Sequence, residues 1–388
     1  LMALSIILPT FSAFAEELPP ETETNQTTPA VIAETAILMD AASGEILFDK
    51  NADQKMFPAS ITKLMTILLA LEHGELTDEI TFSHNAIYSI EPGSAHIAIQ
   101  EGETLTLEQV LRAIILRSAN EASNGVAEYV DGSIEAFAKH MTARAKELGC
   151  KNTNFLNANG LHNENHYTTA HDMALIAKEL LKHEEYRSMM SETYYEIQPT
   201  NKQTEVRYLH GQHQMLNENS LYYYKDAIGG KTGFTSEALN TLVTYAERDG
   251  MELIAVVMKS PTSAQRFEDA KTLLSYGFST YTLKTVTPDA PLAPIPVRLG
   301  IQSTVQPVLG DGSTLLLEKN KAGDLTQSLA LSETLDAPVA KGTPVGSLTV
   351  FSGEQVLAEI PVLAGEDVPR ITYGQMLLRV LQTAFLAA

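Results

Sequence analysis

Three short groups of residues pair a hydroxyl with a lysine amine or an asparagine amide. In Pro58-Ala59-Ser60-Ile61-Thr62-Lys63, the serine and the lysine stand three apart at what reads as a helix start. Pro58 closes the preceding segment, and an apolar run through Ile67, Leu68, Leu69 and Leu71 continues to a stop at Gly74. On a helix Ser60 and Lys63 share one face. A serine hydroxyl is a weak nucleophile at neutral pH. A lysine amine can take its proton only when the amine is itself unprotonated, a state favoured by burial or by a second cation nearby. A lone Ser-x-x-Lys is usually a cap beside a solvated charge. Here two further groups follow in order, Ser118-Ala119-Asn120 and Lys231-Thr232-Gly233.

The elements around these groups would have to bring them together. Apolar positions at Leu107, Val110, Leu111, Ile114 and Ile115 give a helical period over 105–117, with Thr104 and Thr106 as caps. A second helix is expected over 121–130, so Ser118 and Asn120 fall at a junction, where polar side chains can face a cleft. Further helices are expected over 134–148, over 173–181 behind a capping box at 169–172, and over 266–276. Residues 157–167 form a polar loop. Strands are expected at 36–39 and 45–48 around a turn at 40–44, and at 240–245 and 253–258 around a turn at 247–250. Helices inserted between early and late strands imply an α/β (α+β) sandwich whose terminal segments share one antiparallel sheet.

The 388 residues are 44% hydrophobic and carry 48 acidic against 27 basic side chains, a formal charge of −21. A strongly acidic surface argues against a nucleic-acid partner. The single cysteine, Cys150, excludes an intramolecular disulfide and reads as a buried side chain. His162, His166 and His171 raise the question of a metal. They straddle a loop and a helix start with no second ligand cluster, so a polar loop packed near the cleft is the better reading and no metal is assigned.

At the start of the chain, 1–15 reads as a signal peptide lacking its basic beginning, with Ala13-Phe14-Ala15 as the small-x-small cleavage pattern. Residues 16–32 read as a disordered leader. Pro288, Pro291, Pro294 and Pro296 mark a linker at 284–296. Beyond it, 297–368 has strand-like runs at 314–317, 348–351 and 355–362, and reads as a small all-β domain without a catalytic group. The final stretch, 371–388, is an amphipathic helix with Gln375, Arg379 and Gln382 on one stripe. It is expected to lie in a membrane interface.

Taken together, the three groups and their surroundings at 58–66, 117–124, 159–172 and 229–240 closely resemble the low-molecular-mass penicillin-binding proteins that are serine-type D-alanyl-D-alanine carboxypeptidases. The likeness is specific over about 33–281. It implies the penicillin-binding protein/β-lactamase type of sandwich, with helices on both faces of the sheet and a catalytic domain at 33–283. It also implies an exported enzyme at the outer face of the cytoplasmic membrane, acting on peptidoglycan stem peptides without a cofactor.

By that resemblance Ser60 attacks the penultimate D-alanine carbonyl and Lys63 is the base. Ser118 relays the proton to the departing D-alanine, and Asn120 holds the substrate backbone. Lys231 and Thr232 receive the terminal carboxylate, Gly233 allows close approach, and the backbone N–H groups of Ser60 and Phe234 form the oxyanion hole. A β-lactam would acylate Ser60 and leave slowly. Glu218 stands where certain relatives carry a basic residue near that carboxylate, and Arg266 resembles a structural arginine. Two rival readings are a β-lactamase, with Glu164 as the candidate to activate water, and a non-catalytic cell-wall binding protein. Transpeptidation differs only in the acceptor.

Overall fold

The structure is a computed structural model that describes residues 28–323 and 325–386, with side chains as far as 379. The expected signal peptide and most of the leader lie outside the described residues. The central sheet has five antiparallel strands: β1 (Thr35–Asp40), β2 (Ile46–Lys50), β3 (Ala227–Thr235), β4 (Leu239–Arg248) and β5 (Met251–Ser260). Their spatial order is β2-β1-β5-β4-β3, so the first and last strands of this region share one sheet, as the pattern implied.

Both faces of the sheet are covered, which explains why its strands read as nearly continuous apolar runs. Period-two alternation divides them. Ile37 and Met39 of β1 and Ile254 and Val256 of β5 face one core, with the helices inserted between β2 and β3. Ala36, Leu38, Leu253 and Ala255 face the other, against Phe267, Leu273 and Phe278 of the helix that follows the sheet.

The inserted region contains α1 (Lys63–His73), α2 (Leu107–Arg117), α3 (Asn120–Asp131) and α4 (Ala170–Leu180). Every residue of α1 from Lys63 to Ala70 is buried, which marks it as a helix enclosed on all sides. The expected helix start shifts: Ala59–Thr62 is a 3₁₀ turn, and the α-helix begins only at Lys63. Likewise Leu105 belongs to a short strand, Thr104–Thr106, paired with Glu79–Thr81. Thr106 then caps α2 through a reciprocal box with Gln109. At α4, Thr169 accepts from the Asp172 N–H as expected. The Asp172 carboxylate accepts instead from the Lys151 and Asn152 N–H groups and the Thr153 hydroxyl, tying the helix to the preceding loop.

After the sheet, α5 (Ser263–Thr280) runs longer than its periodicity indicated, capped by Thr262. Strand Tyr281–Thr285 follows and pairs with Thr314–Glu318, so main-chain pairing crosses the expected border at 283/284. The C-terminal all-β domain is built on the hairpin Pro344–Ser352 and Gln355–Ala364, flanked by Pro307–Leu309 and Leu325–Leu331. Its core holds Val305, Leu348, Val350, Ile360 and Val362. Strand Leu325–Leu331, which the sequence pattern did not single out, is a largely exposed edge strand. A terminal helix, α6 (Tyr373–Leu386), begins where Thr372 and Gln375 bond each other.

Candidate active site

Ser60 lies on the 3₁₀ turn, where residues i and i+3 eclipse rather than fall about 60° apart as they do on an α-helix. That geometry puts Lys63 Nζ 3.1 Å from Ser60 Oγ. Two contacts hold the turn. Thr241 of β4 donates its hydroxyl to the Pro58 carbonyl at 2.9 Å. The loop carrying Gly160 (φ +83°) presses so close that a Cβ there would stand 2.0 Å from the Ala59 carbonyl oxygen.

Lys63 has no exposed surface. Besides Ser60, its Nζ meets Asn120 Oδ1 at 2.7 Å and the Asn159 carbonyl at 2.5 Å. A neutral amine has two N–H bonds and one lone pair. The two carbonyl oxygens can only accept, so they take the N–H bonds and leave the lone pair for the Ser60 proton. Burial pushes the Lys63 pKa well below the usual lysine range. The Lys231 charge pushes the same way and Glu121 opposes.

Across the cleft, Ser118 ends α2 in the left-handed conformation (φ 57°), which turns its hydroxyl away from the helix axis. Lys231 Nζ on β3 donates to Ser118 Oγ at 3.0 Å and to the Thr232 carbonyl at 2.8 Å. Burial, and then the Arg266 charge, bring the Lys231 pKa down to about 7. Asn120 opens α3; with its carbonyl engaged by Lys63, only its NH₂ group remains for a ligand.

Strand β3 is one of the two outer strands of the sheet, and among the described residues no strand pairs with its far edge, where an extended ligand could add. A Cβ at Gly233 would lie 2.9 Å from the Ser60 nitrogen and 2.3 Å from Thr241 Oγ1, so only glycine lets β3 come this near. Arg266 Nη1 donates to the Gly233 carbonyl at 3.0 Å and Nη2 donates to Ser263 Oγ, and Arg266 itself lines the cleft.

The resulting cleft, about 300 Å³, is lined by Ser60, Ser118, Asn120, Thr232, Gly233 and Phe234 of the expected set, with Lys63 and Lys231 buried beneath it. It is also lined by Gly160 and Leu161 of the 159–172 stretch, by Thr235 and Arg266, and by Gly93, Ser94, Ala95 and Gln212, which lie outside the motifs and their surroundings.

Glu164 is exposed and lines a different hollow with Lys55, Tyr167 and Glu237, away from the cleft where a β-lactamase would need its water activator. Glu218 is also exposed and belongs to a neighbouring hollow with Tyr194, His210 and His213. The three loop histidines diverge. His162 packs edge-on to Phe57, and His171 contacts Asp53. His166 is buried, accepts from the Leu156 N–H at Nδ1, and therefore donates from Nε2 to Thr62 Oγ1. Cys150 is buried, and burial pushes its thiol pKa up.

A serine hydroxyl hydrogen-bonded to a buried amine, facing a second buried amine beside an edge strand, is an arrangement capable of acyl transfer to serine. Residues 22–262 match the D-alanyl-D-alanine carboxypeptidase family, and 281–370 match the penicillin-binding protein 5 C-terminal domain. The chain is 34% identical over 357 residues to the D-alanyl-D-alanine carboxypeptidase DacF of Bacillus subtilis, spanning 90% of this chain and 89% of that protein. It is 32% identical to DacC of Escherichia coli, spanning 88% and 85%. Penicillin binding protein 5 from Haemophilus influenzae superposes with a TM-score of 0.72 at 29% identity, over 89% of this chain and 99% of that one. The chain belongs to the D-alanyl-D-alanine carboxypeptidase family. It is a serine-type D-alanyl-D-alanine carboxypeptidase with the penicillin-binding protein fold.

Gly160→Ala should force the 159–160 turn away from Ala59, moving the Asn159 carbonyl off Lys63. A displacement near 1 Å at a reacting group costs on the order of 100-fold in rate. A loss of that size in D-alanine release, with a cooperative thermal transition retained, is the expected outcome.

Proposed function

We propose that Ser60 is the nucleophile that removes the terminal D-alanine from peptidoglycan stem peptides, with Lys63 as its general base. The reading rests above all on the single contact between Ser60 Oγ and the fully buried Lys63 amine. As Ser60 Oγ bonds to the penultimate carbonyl carbon, its proton passes to Lys63 Nζ. The developing oxyanion is held by the backbone N–H groups of Ser60 and Phe234; removing one such donor typically costs about 100- to 1,000-fold. When the C–N bond breaks, the departing D-alanine nitrogen takes a proton from Lys63 through Ser118. Water then adds to the acyl-enzyme and releases Ser60.

Lys231 and Thr232 receive the substrate's terminal carboxylate, Asn120 holds its backbone through the NH₂ group, and Gly233 keeps β3 close enough to pair with it. A β-lactam would enter the same path and stop at the acyl-enzyme. Intact mass after incubation with penicillin tests this: one stable adduct is expected on the wild-type protein and none on Ser60→Ala, with D-alanine released by the wild type alone. Rapid turnover of penicillin without an adduct would defeat the assignment.

The two lysines give the pH profile opposite limbs. Lys63 must be neutral to accept a proton, so activity falls as pH drops through its depressed pKa. Lys231 must be charged to attract a carboxylate, so activity also falls as pH rises above about 7. kcat/KM reports the free enzyme. A decline in kcat/KM beginning near that pH is expected, and Lys231→Arg, which keeps its charge, should flatten the alkaline side while lowering the maximum.

We also propose that α6 lies on the outer face of the cytoplasmic membrane, the chain having been exported there. What supports this is exposed apolar surface at Tyr373, Met376, Leu377 and Leu378. Among the described residues no helix is long and apolar enough to cross a bilayer. The full chain should sediment with phosphatidylethanolamine-rich vesicles, and a version ending at 370 should stay in the supernatant.

A further inference from the structure

One wall of the cleft, residues 93–95, belongs to a segment with neither helix nor strand. Such a segment has to find partners for its backbone groups elsewhere. Here four consecutive N–H groups all donate to side chains. Ile97 donates to Glu121 Oε1 at 2.7 Å, and Ile99 donates to the same oxygen at 3.5 Å. Between them, Ala98 donates to His96 Nδ1 at 3.1 Å, and Gln100 donates to Glu103 Oε2 at 2.9 Å.

Ala98 sits at φ 58°, the left-handed region that costs a non-glycine residue energy. Such a residue persists only where its surroundings over-determine it. They do so from both sides. Arg207, paired with Glu103, donates Nη2 to the Ala98 carbonyl at 2.9 Å. From the other side, the first turn of α3 contributes the Asn120 N–H to the Ala95 carbonyl at 2.9 Å, and then the Glu121 carboxylate.

Glu121 is 1% exposed, and its second oxygen, Oε2, has no hydrogen-bond partner among the described residues. Burying a carboxylate with one oxygen unpaired is costly, and helix packing alone would be served by an apolar residue. The two bonds that Oε1 accepts fall on Ile97 and Ile99, in the same loop that lines the cleft at 93–95 beside Ser60. Asn120, the adjacent residue, faces Lys63.

We propose that Glu121 is a positioning residue for acylation: with Arg207 it clamps residues 94–99 so that Ser94 and Ala95 stand against the cleft opposite β3. The role rests on the reading of Ser60 as the acylated nucleophile. It works through a single acceptor oxygen, so geometry rather than charge carries it. Glutamine keeps that oxygen. Aspartate keeps the charge but falls one methylene short. Leucine keeps the volume and neither of the others.

The test is the second-order rate of acylation by penicillin for wild type, Glu121→Gln, Glu121→Asp and Glu121→Leu, with amide hydrogen exchange at Ile97 and Ile99 measured on each. Gln should stay within about threefold of wild type, while Asp and Leu should fall about 10- to 100-fold, the scale of a small misplacement of a cleft wall. In Asp and Leu the two amides should lose protection while unfolding remains cooperative.

Wild-type rates in Asp or Leu would overturn the proposal, as would unchanged protection of the two amides. So would a Gln variant as slow as Leu, because the charge acting on Lys63 would then be the cause. If Leu does not fold, Asp decides. If neither folds, Glu121 is a folding residue and the proposal fails. Absence of any adduct on the wild type would instead bring down the Ser60 reading on which the proposal stands.

Discussion

The amine of Lys63 has no exposed surface and three oxygen neighbours, and most of the site's architecture follows from holding it there. An ammonium in that position would lack the water it needs, so burial favours the free base. A free base has only two N–H bonds to give. The Asn120 and Asn159 carbonyl oxygens use both, and the remaining lone pair is directed at Ser60. Each of these oxygens comes from a different part of the chain. The start of α3, the 159–160 turn and the 3₁₀ turn before α1 must therefore converge within a few ångströms.

That convergence explains features that look unrelated in isolation. Gly160 and Gly233 are both places where a Cβ would strike the Ser60 turn, one from the loop side and one from the sheet side. Ser118 is left-handed because α2 must end abruptly for its hydroxyl to reach Lys231, rather than follow the helix surface. β3 ends the sheet for the same reason: Thr232, Gly233, Phe234 and Thr235 line the cleft where a sixth strand would have paired.

The residues proposed as the catalytic set, which the fold brings together, were legible because they are defined by side-chain type at fixed local spacing. Ser60 with Lys63, Ser118 with Asn120, and the Lys231-Thr232-Gly233 run each announce themselves within four residues. The rest of the cleft was not legible, for two reasons. Asn159 acts through its backbone carbonyl, a group every residue possesses. Ser94 and Ala95 carry no distinctive chemistry, and their position depends on Glu121 and Arg207 from other elements. Glu164 and Glu218 show the converse: acidic residues that attract notice in the sequence lie outside the cleft once the chain is folded.

By itself the sequence determined which groups were available and in what order. It determined the inserted helices through their 3.6-residue period, and the shared sheet through apolar runs at both ends of that region. It could not decide how basic each amine is, since a pKa depends on what surrounds a group in space. Lys231 reaches Ser118 across 113 positions, and Lys63 reaches Asn159 across 96. Only packing brings such distant residues into contact, removes their water and so lowers the pKa of both lysines.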